Sequence, residues 1–179
     1  MTNDIIHKKW RSLLISKCLK VACIISLTET VLFFFADSAG LLFLPVPLFL
    51  LRFFFIPSII NFITIWIGHN LVHSSKLSSN AKNYVACFVF LFICINIELT
   101  HYVFAPVLVV PCVAIFMSII FRNFSLTRTV TLLSFISLMI AYFIARLELR
   151  AGDPQLFLDT AVAAVITLCS YLLSSLLIQ

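Results

Sequence analysis

The chain has 179 residues, of which 63% are hydrophobic and 11% are charged, and its formal net charge is +5 at pH 7. With a mean hydropathy of +1.16, this composition excludes an ordinary water-soluble domain and indicates an integral membrane protein. At about 20 apolar residues per crossing, the length holds about six transmembrane helices and leaves almost nothing for a soluble domain. The composition therefore predicts an all-α bundle of about six transmembrane helices, with residues 1–179 forming a single polytopic membrane domain.

Six apolar stretches follow one another along the chain, and each is predicted to be a membrane-spanning helix. They run from Ile15 to Ala36, Leu48 to Val72, Asn83 to Tyr102, Phe104 to Phe121, Thr129 to Leu147 and Leu156 to Ile178. Residues 1–14 form a basic tail, and residues 37–47 form an interfacial segment because Pro45 and Pro47 oppose a continuous helix there. The first span resembles a cleaved signal peptide in outline, but Glu29 interrupts its apolar stretch, so we expect it to be retained.

Lysines and arginines are distributed unevenly around these spans, and their distribution predicts the orientation. Nine of the twelve basic residues lie in the tail, at the start of the first span, or in the polar joints 74–82 and 122–128. Basic residues beside short loops are retained on the cytoplasmic side. Both termini and the tail 1–14 are therefore predicted to be cytoplasmic, and the segment 37–47 external.

The third span carries a polar stripe near its external end. Cys94, Glu98 and His101 are spaced i, i+4 and i+7, which places them on one side of a helix. A carboxyl group and an imidazole in this position are able to bind a cationic or hydrogen-bonding ligand, exchange a proton or contribute metal ligands. Alternatively, they pair with each other or with nearby arginines, which makes their burial tolerable. The spacing does not separate these alternatives, and no metal or cofactor is predicted.

Other ionisable residues gather at the same external end, and ionisable groups at membrane depth indicate function by default. Arg52, at the start of the second span, is the expected ion-pair partner of Glu29. Asp159 either joins the site or stabilises the amino end of its helix, where the dipole favours an anion. Arg146 and Arg150 offer planar donor groups to an anionic ligand, or they lie in a solvated loop. The predicted ligand-binding residues are Glu29, Arg52, Glu98, His101, Arg146, Arg150 and Asp159.

No catalytic signature is present in the sequence. It lacks the patterns of phosphate-binding loops, hydrolase nucleophile turns and zinc proteases. The six cysteines lie in or beside apolar spans without a CxxC pair, so they are predicted to be small buried hydrophobic residues. The chain itself is therefore predicted not to be an enzyme, and no nucleic-acid partner is expected.

Three stretches carry a resemblance to a known family: LRFFFIPS from Leu51 to Ser58, THYVFAP from Thr100 to Pro106, and ELRAGDPQ from Glu148 to Gln155. They are similar to the multi-helix amino-terminal membrane regions of bacterial GGDEF-type diguanylate cyclases. The resemblance implies a sensing region in a bacterial inner (plasma) membrane, followed by a cytoplasmic output domain that makes cyclic di-GMP from two GTP. It also implies a homodimer, because such output domains act in pairs. The chain contains no GGDEF sequence, so only the sensing role carries over.

The residues and the resemblance predict a membrane-embedded receptor module. It binds a small extracytoplasmic ligand in an outward-facing polar pocket and relays the signal through its last helix to a cytoplasmic output domain. One alternative is the substrate-binding membrane subunit of a small-solute transporter, against which the presence of only three glycines counts. Another is a non-catalytic scaffold whose charged residues form internal ion pairs in the lipid bilayer.

Overall fold

A computed structural model describes residues 2–40, 45–102, 105–148 and 154–178, and nearly all of them are helical. The α-helices are α1 (Thr2–Ser38), α2 (Val46–Leu50), α3 (Ile56–His73), α4 (Ser79–Thr100), α5 (Pro111–Ser118), α6 (Phe124–Glu148) and α7 (Pro154–Ile178). A π-helical turn (Leu51–Phe55) joins α2 to α3, and 3₁₀ turns (Ala105–Val109 and Ile119–Phe121) flank α5. The described residues contain no β-strand.

Five helical segments are long and apolar enough to cross a membrane. They are Ile5–Phe35, Val46–His73, Ser79–Thr100, Phe124–Glu148 and Pro154–Ile178. Large apolar side chains cover their outer surfaces, including Phe35, Trp66 and Leu147, which are 70%, 68% and 83% exposed. Such surfaces indicate contact with lipid and make this a multi-pass helical membrane protein. The predicted fourth span corresponds to a shorter apolar segment, Ala105–Phe121.

The first helix is longer than its predicted span, because the basic tail forms its opening turns. One face of α1 packs on the bundle through a stripe of buried residues at helical spacing: Leu14, Ile15, Cys18 and Ala22. Arg11 lies on the same face and is only 6% exposed. Its Nη1 donates to the Ser79 carbonyl at 3.1 Å and to Asn83 Oδ1 at 2.7 Å. These bonds attach the start of α1 to the start of α4.

Helices α3 and α4 form an antiparallel pair along one seam. Gly68 of α3 faces Val89 of α4 near the middle of the seam. Asn61, seven residues before Gly68, faces Asn96, seven residues after Val89. Asn96 Nδ2 donates to Asn61 Oδ1 at 2.8 Å and to the Pro57 carbonyl at 2.9 Å. Because Gly68 has no side chain, the two helices approach closely there. The two asparagine side chains are hydrogen-bonded to each other within the seam.

Proline explains the π-helical turn at the start of the second span. Pro57 has no backbone N–H and its ring crowds the carbonyl of the residue four positions earlier, which is Phe53. The helix widens over Leu51–Phe55, and the Ile56 N–H bonds to the Leu51 carbonyl, five residues back. The span continues through this turn, and Arg52 lies within it.

The bundle has two chemically different ends. At the Arg11 end, Asn123 Nδ2 donates to Asn80 Oδ1 at 2.9 Å, so the two polar joints of the sequence lie together. The His7 ring contacts the Phe121 ring here, with centroids 5.8 Å apart. At the opposite, Glu148 end, the start of the second span meets the ends of α4 and α6.

The cysteines divide into two groups. Cys18, Cys87, Cys94 and Cys112 are buried, whereas Cys23 and Cys169 are exposed on the outer surfaces of α1 and α7. The prediction that all six are buried was therefore wrong for two of them. Both lie within largely apolar stretches of their helices, so hydropathy could not separate a face against protein from one against lipid.

Candidate functional site

A charged triad closes the Glu148 end of the bundle. Arg52, in the π-helical turn, forms an ion pair with Glu148 at the end of α6. The Tyr102 hydroxyl, just after α4, donates to the same Glu148 Oε2 at 2.6 Å. Burial, and then the bond to Glu148, raise the pKa of Tyr102 to about 12. The triad ties together three segments that are distant in sequence.

A second pair lies beside the triad and joins α1 to the end of α4. His101 Nε2 is 3.3 Å from Glu29 Oε1, and the imidazole stacks on Phe53 with ring centroids 6.3 Å apart. Glu29 Oε2 is buried and has no hydrogen-bond partner among the described residues. The predicted pairing of Glu29 with Arg52 was therefore wrong, because the rotation of α1 directs the carboxyl group towards α4.

Glu98 faces the other side of α4, towards α6. Its side chain lies beside Ser137, but the Ser137 hydroxyl donates to the Ser134 carbonyl at 2.9 Å. Glu98 is fully buried, and neither carboxyl oxygen has a hydrogen-bond partner among the described residues. An ionised carboxylate left in this state would cost several kcal/mol. The predicted stripe of Glu98 and His101 therefore supplies two separate groups, one facing α6 and one facing α1.

Both carboxyl groups are recessed below the outer ends of their neighbouring helices. Helix α1 continues for nine residues from Glu29 to its end at Ser38, which is about 14 Å at 1.5 Å per residue. Helix α6 continues for eleven residues from Ser137 to its end at Glu148, or about 16 Å. We call the region around the end of α4 the carboxyl recess, with Glu29 and His101 on the α1 side and Glu98 on the α6 side. Glu98 lies four residues before Tyr102 of the triad along the chain.

Of the remaining predicted residues, Arg146 and Asp159 lie apart from the recess in the part of the chain that the structure describes. Arg146 is exposed on the last turn of α6. Asp159 is half-buried near the start of α7, where its Oδ1 accepts a 2.8 Å bond from Gln155 Nε2. The helix begins at Pro154, so Asp159 lies well over one turn beyond the N-cap position. Arg150 lies outside the described residues.

Several site residues were not predicted from the sequence. Glu148 and Tyr102 complete the triad, and Phe53 supports the imidazole of His101. Glu148 belongs to the ionisable residues predicted at the external end, but its pairing with Arg52 and Tyr102 was not predicted. The role of Asn96 in the seam between α3 and α4 was also not predicted. Its signal in the sequence was an amide side chain in an otherwise apolar span, because such a side chain requires a buried hydrogen-bond partner.

The described residues include no group of three His, Cys, Asp or Glu side chains arranged to hold a metal ion. No known family model, curated protein or solved structure matches the chain.

Proposed function

We propose that the chain is a membrane receptor module that binds a small extracytoplasmic ligand in the carboxyl recess. The observation that carries this proposal is the set of three buried carboxyl oxygens, one on Glu29 and two on Glu98, that have no donor among the described residues. Buried acceptors without donors are costly, and a ligand that donates hydrogen bonds removes that cost. Ligand binding in a bundle of this kind depends on a few such polar groups in an apolar surround.

The proposal includes six membrane crossings with both termini in the cytoplasm. Segment Ala105–Phe121 starts beyond Tyr102 at the Glu148 end, and Phe121 contacts His7 at the Arg11 end. Its two 3₁₀ turns rise about 2.0 Å per residue, which lengthens the short segment towards the roughly 30 Å of a bilayer core. The lysines and arginines at the Arg11 end favour placing that end in the cytoplasm of a bacterial inner membrane.

The relay proceeds from the recess to the cytoplasmic side through helix packing. A ligand with different affinities for two arrangements of α1, α4 and α6 shifts their populations. Helix α7 packs along α6 and returns to the Arg11 end, where Tyr171 contacts Phe124 with ring centroids 6.2 Å apart. The proposal assigns any catalytic chemistry to a cytoplasmic output domain, a diguanylate cyclase by resemblance, acting as a homodimer.

The test is a ligand screen on the purified chain in detergent micelles, read by thermal unfolding. A ligand at one hundred times its Kd stabilises the protein by about 2.7 kcal/mol. We expect Glu98→Gln to lose that stabilisation, whereas Asp37→Asn, which removes an exposed carboxylate at the end of α1, keeps it. A ligand that stabilises wild type and Glu98→Gln equally would rule out Glu98 as part of the site.

A transporter subunit is the second candidate, and the position of Glu98 favours it. A fully buried carboxyl group between α4 and α6 is where a proton-coupled carrier holds its proton. Proteoliposomes incubated with an external radiolabelled hit from the screen separate the two functions. Binding without uptake supports the receptor, uptake supports the carrier, and a chain that binds no compound supports the scaffold.

A further inference from the structure

The chemical class of the ligand follows from the surroundings of Glu29. One carboxyl oxygen of Glu29 faces His101 Nε2 at 3.3 Å, while the other is buried without a donor among the described residues. The side chain as a whole is only 10% exposed. A carboxylate so enclosed binds a hydrogen-bond donor strongly, and a charged donor most strongly of all.

A row of aromatic side chains in contact with one another extends as far as the Glu29 carboxyl group. Phe33 lies one turn above Glu29 on α1, so the two side chains share a face. Ring centroids are 5.9 Å apart between Phe33 and Phe49, and 4.9 Å apart between Phe49 and Phe53. Phe53 stacks on His101, which contacts Glu29. Aromatic faces attract cations and accommodate apolar groups.

The charges favour a cationic ligand over an anionic one. The described cluster contains the carboxyl groups of Glu29, Glu98 and Glu148, and Arg52 is held by Glu148. An anionic ligand would have to separate Arg52 from that carboxylate. A cation meets an acceptor on Glu29 that has no donor among the described residues, beside the aromatic side chains of Phe33 and Phe49.

We propose that the recess takes a protonated amine with an aromatic or other apolar substituent. The ammonium group donates to Glu29 Oε2, and the substituent lies along Phe33, Phe49 and Phe53. This inference rests on the proposed receptor function and specifies the ligand for it.

The test compares three probes of one shape and different charge: phenethylammonium, phenethyl alcohol and 3-phenylpropionate. Each is titrated by equilibrium dialysis into the full chain in detergent micelles near neutral pH. We expect the ammonium probe to bind at least about tenfold more tightly than the alcohol, because a charge-assisted hydrogen bond contributes at least that factor. The propionate should bind most weakly.

Variants locate the bound amine. Glu29→Gln keeps the shape of the side chain and should weaken phenethylammonium binding about tenfold or more. Asp37→Asn removes a carboxylate from an exposed position eight residues further along α1 and should leave binding unchanged. Phe53→Leu removes an aromatic face without changing charge and should also weaken binding. Monodisperse elution and unchanged helix content establish that each variant is folded.

Three results would overturn the inference. Full affinity for phenethylammonium in Glu29→Gln would place the amine elsewhere, and absence of any preference for the ammonium probe would exclude a cationic ligand. If the alcohol or propionate binds and Phe53→Leu weakens it, the receptor proposal stands while the amine is excluded. If none of the three probes binds, the amine class is overturned, and the wider ligand screen still decides whether the chain is a receptor.

Discussion

The contact between Gly68 and Val89 gives a quantitative prediction for bundle stability. A Cβ atom added at Gly68 would lie 2.1 Å from Val89 Cγ2, whereas carbon atoms in contact are normally about 3.5 to 4.0 Å apart. The two helices must therefore separate by about 1.5 Å. Val89 cannot turn away easily, because β-branched side chains in helices have one strongly preferred rotamer.

We expect Gly68→Ala to lower the free energy of unfolding by about 1–3 kcal/mol, the usual cost of overpacking. Helix propensity alone predicts the opposite sign, because alanine is favoured over glycine by about 0.8–1.0 kcal/mol. The separation also stretches the bond between Asn61 and Asn96 in the same seam, which adds to the loss. The sign of the measured change therefore decides between packing and propensity.

The assay is unfolding of the purified chain in mixed micelles with increasing SDS, followed by circular dichroism. Val89→Ala provides the matched partner, since it removes the atom that the new Cβ would strike. The double variant should be more stable than the sum of the two single effects predicts, by about 0.5–3 kcal/mol. Unchanged stability of Gly68→Ala, or strict additivity in the double variant, would refute the close contact.

The other predictions concern the two ends of the bundle. Arg11→Ala should destabilise the chain by about 1–3 kcal/mol, because it leaves acceptors on Ser79 and Asn83 without their buried donor. Lys8→Ala removes an exposed charge one turn earlier and should have little effect in the same SDS titration. Tyr102 should ionise near pH 12, against an ordinary value near 10, seen as tyrosinate absorbance that is lost in Tyr102→Phe. Because its folded pKa is raised, Tyr102 contributes stability that is present below pH 10 and is lost as the pH rises towards 12. Glu148→Gln should lower that pKa, and an unchanged titration would argue against the hydrogen bond.

The sequence predicted the helical spans well because hydropathy acts on whole segments. The predicted first, second, third, fifth and sixth spans each overlap a described membrane-length segment. Partners were predicted less well, because they depend on how each helix is rotated about its axis. Nothing in the apolar surroundings of Glu29 shows that it faces α4 and His101 rather than Arg52.

The π-helical turn shows a further limit of prediction from the sequence. The effect of Pro57 on the carbonyl four residues earlier was foreseeable, but its consequence for Arg52 was not. Widening the helix over Leu51–Phe55 changes the direction of each side chain in that turn. The ion pair with Glu148 forms from this altered direction, so it cannot be derived from regular helical spacing.

Helix α1 is one continuous element from Thr2 to Ser38, and the chain between Glu29 and Arg11 contains neither proline nor glycine. Those two residues are eighteen positions apart, or about 27 Å along the axis. Because α1 has no proline or glycine hinge between these residues, we expect it to move as one rigid helix. A tilt of α1 at Glu29 would then displace Arg11, where the helix is attached to α4. Under the proposed receptor function, the first helix is a second route by which ligand binding reaches the Arg11 end, in addition to the last helix.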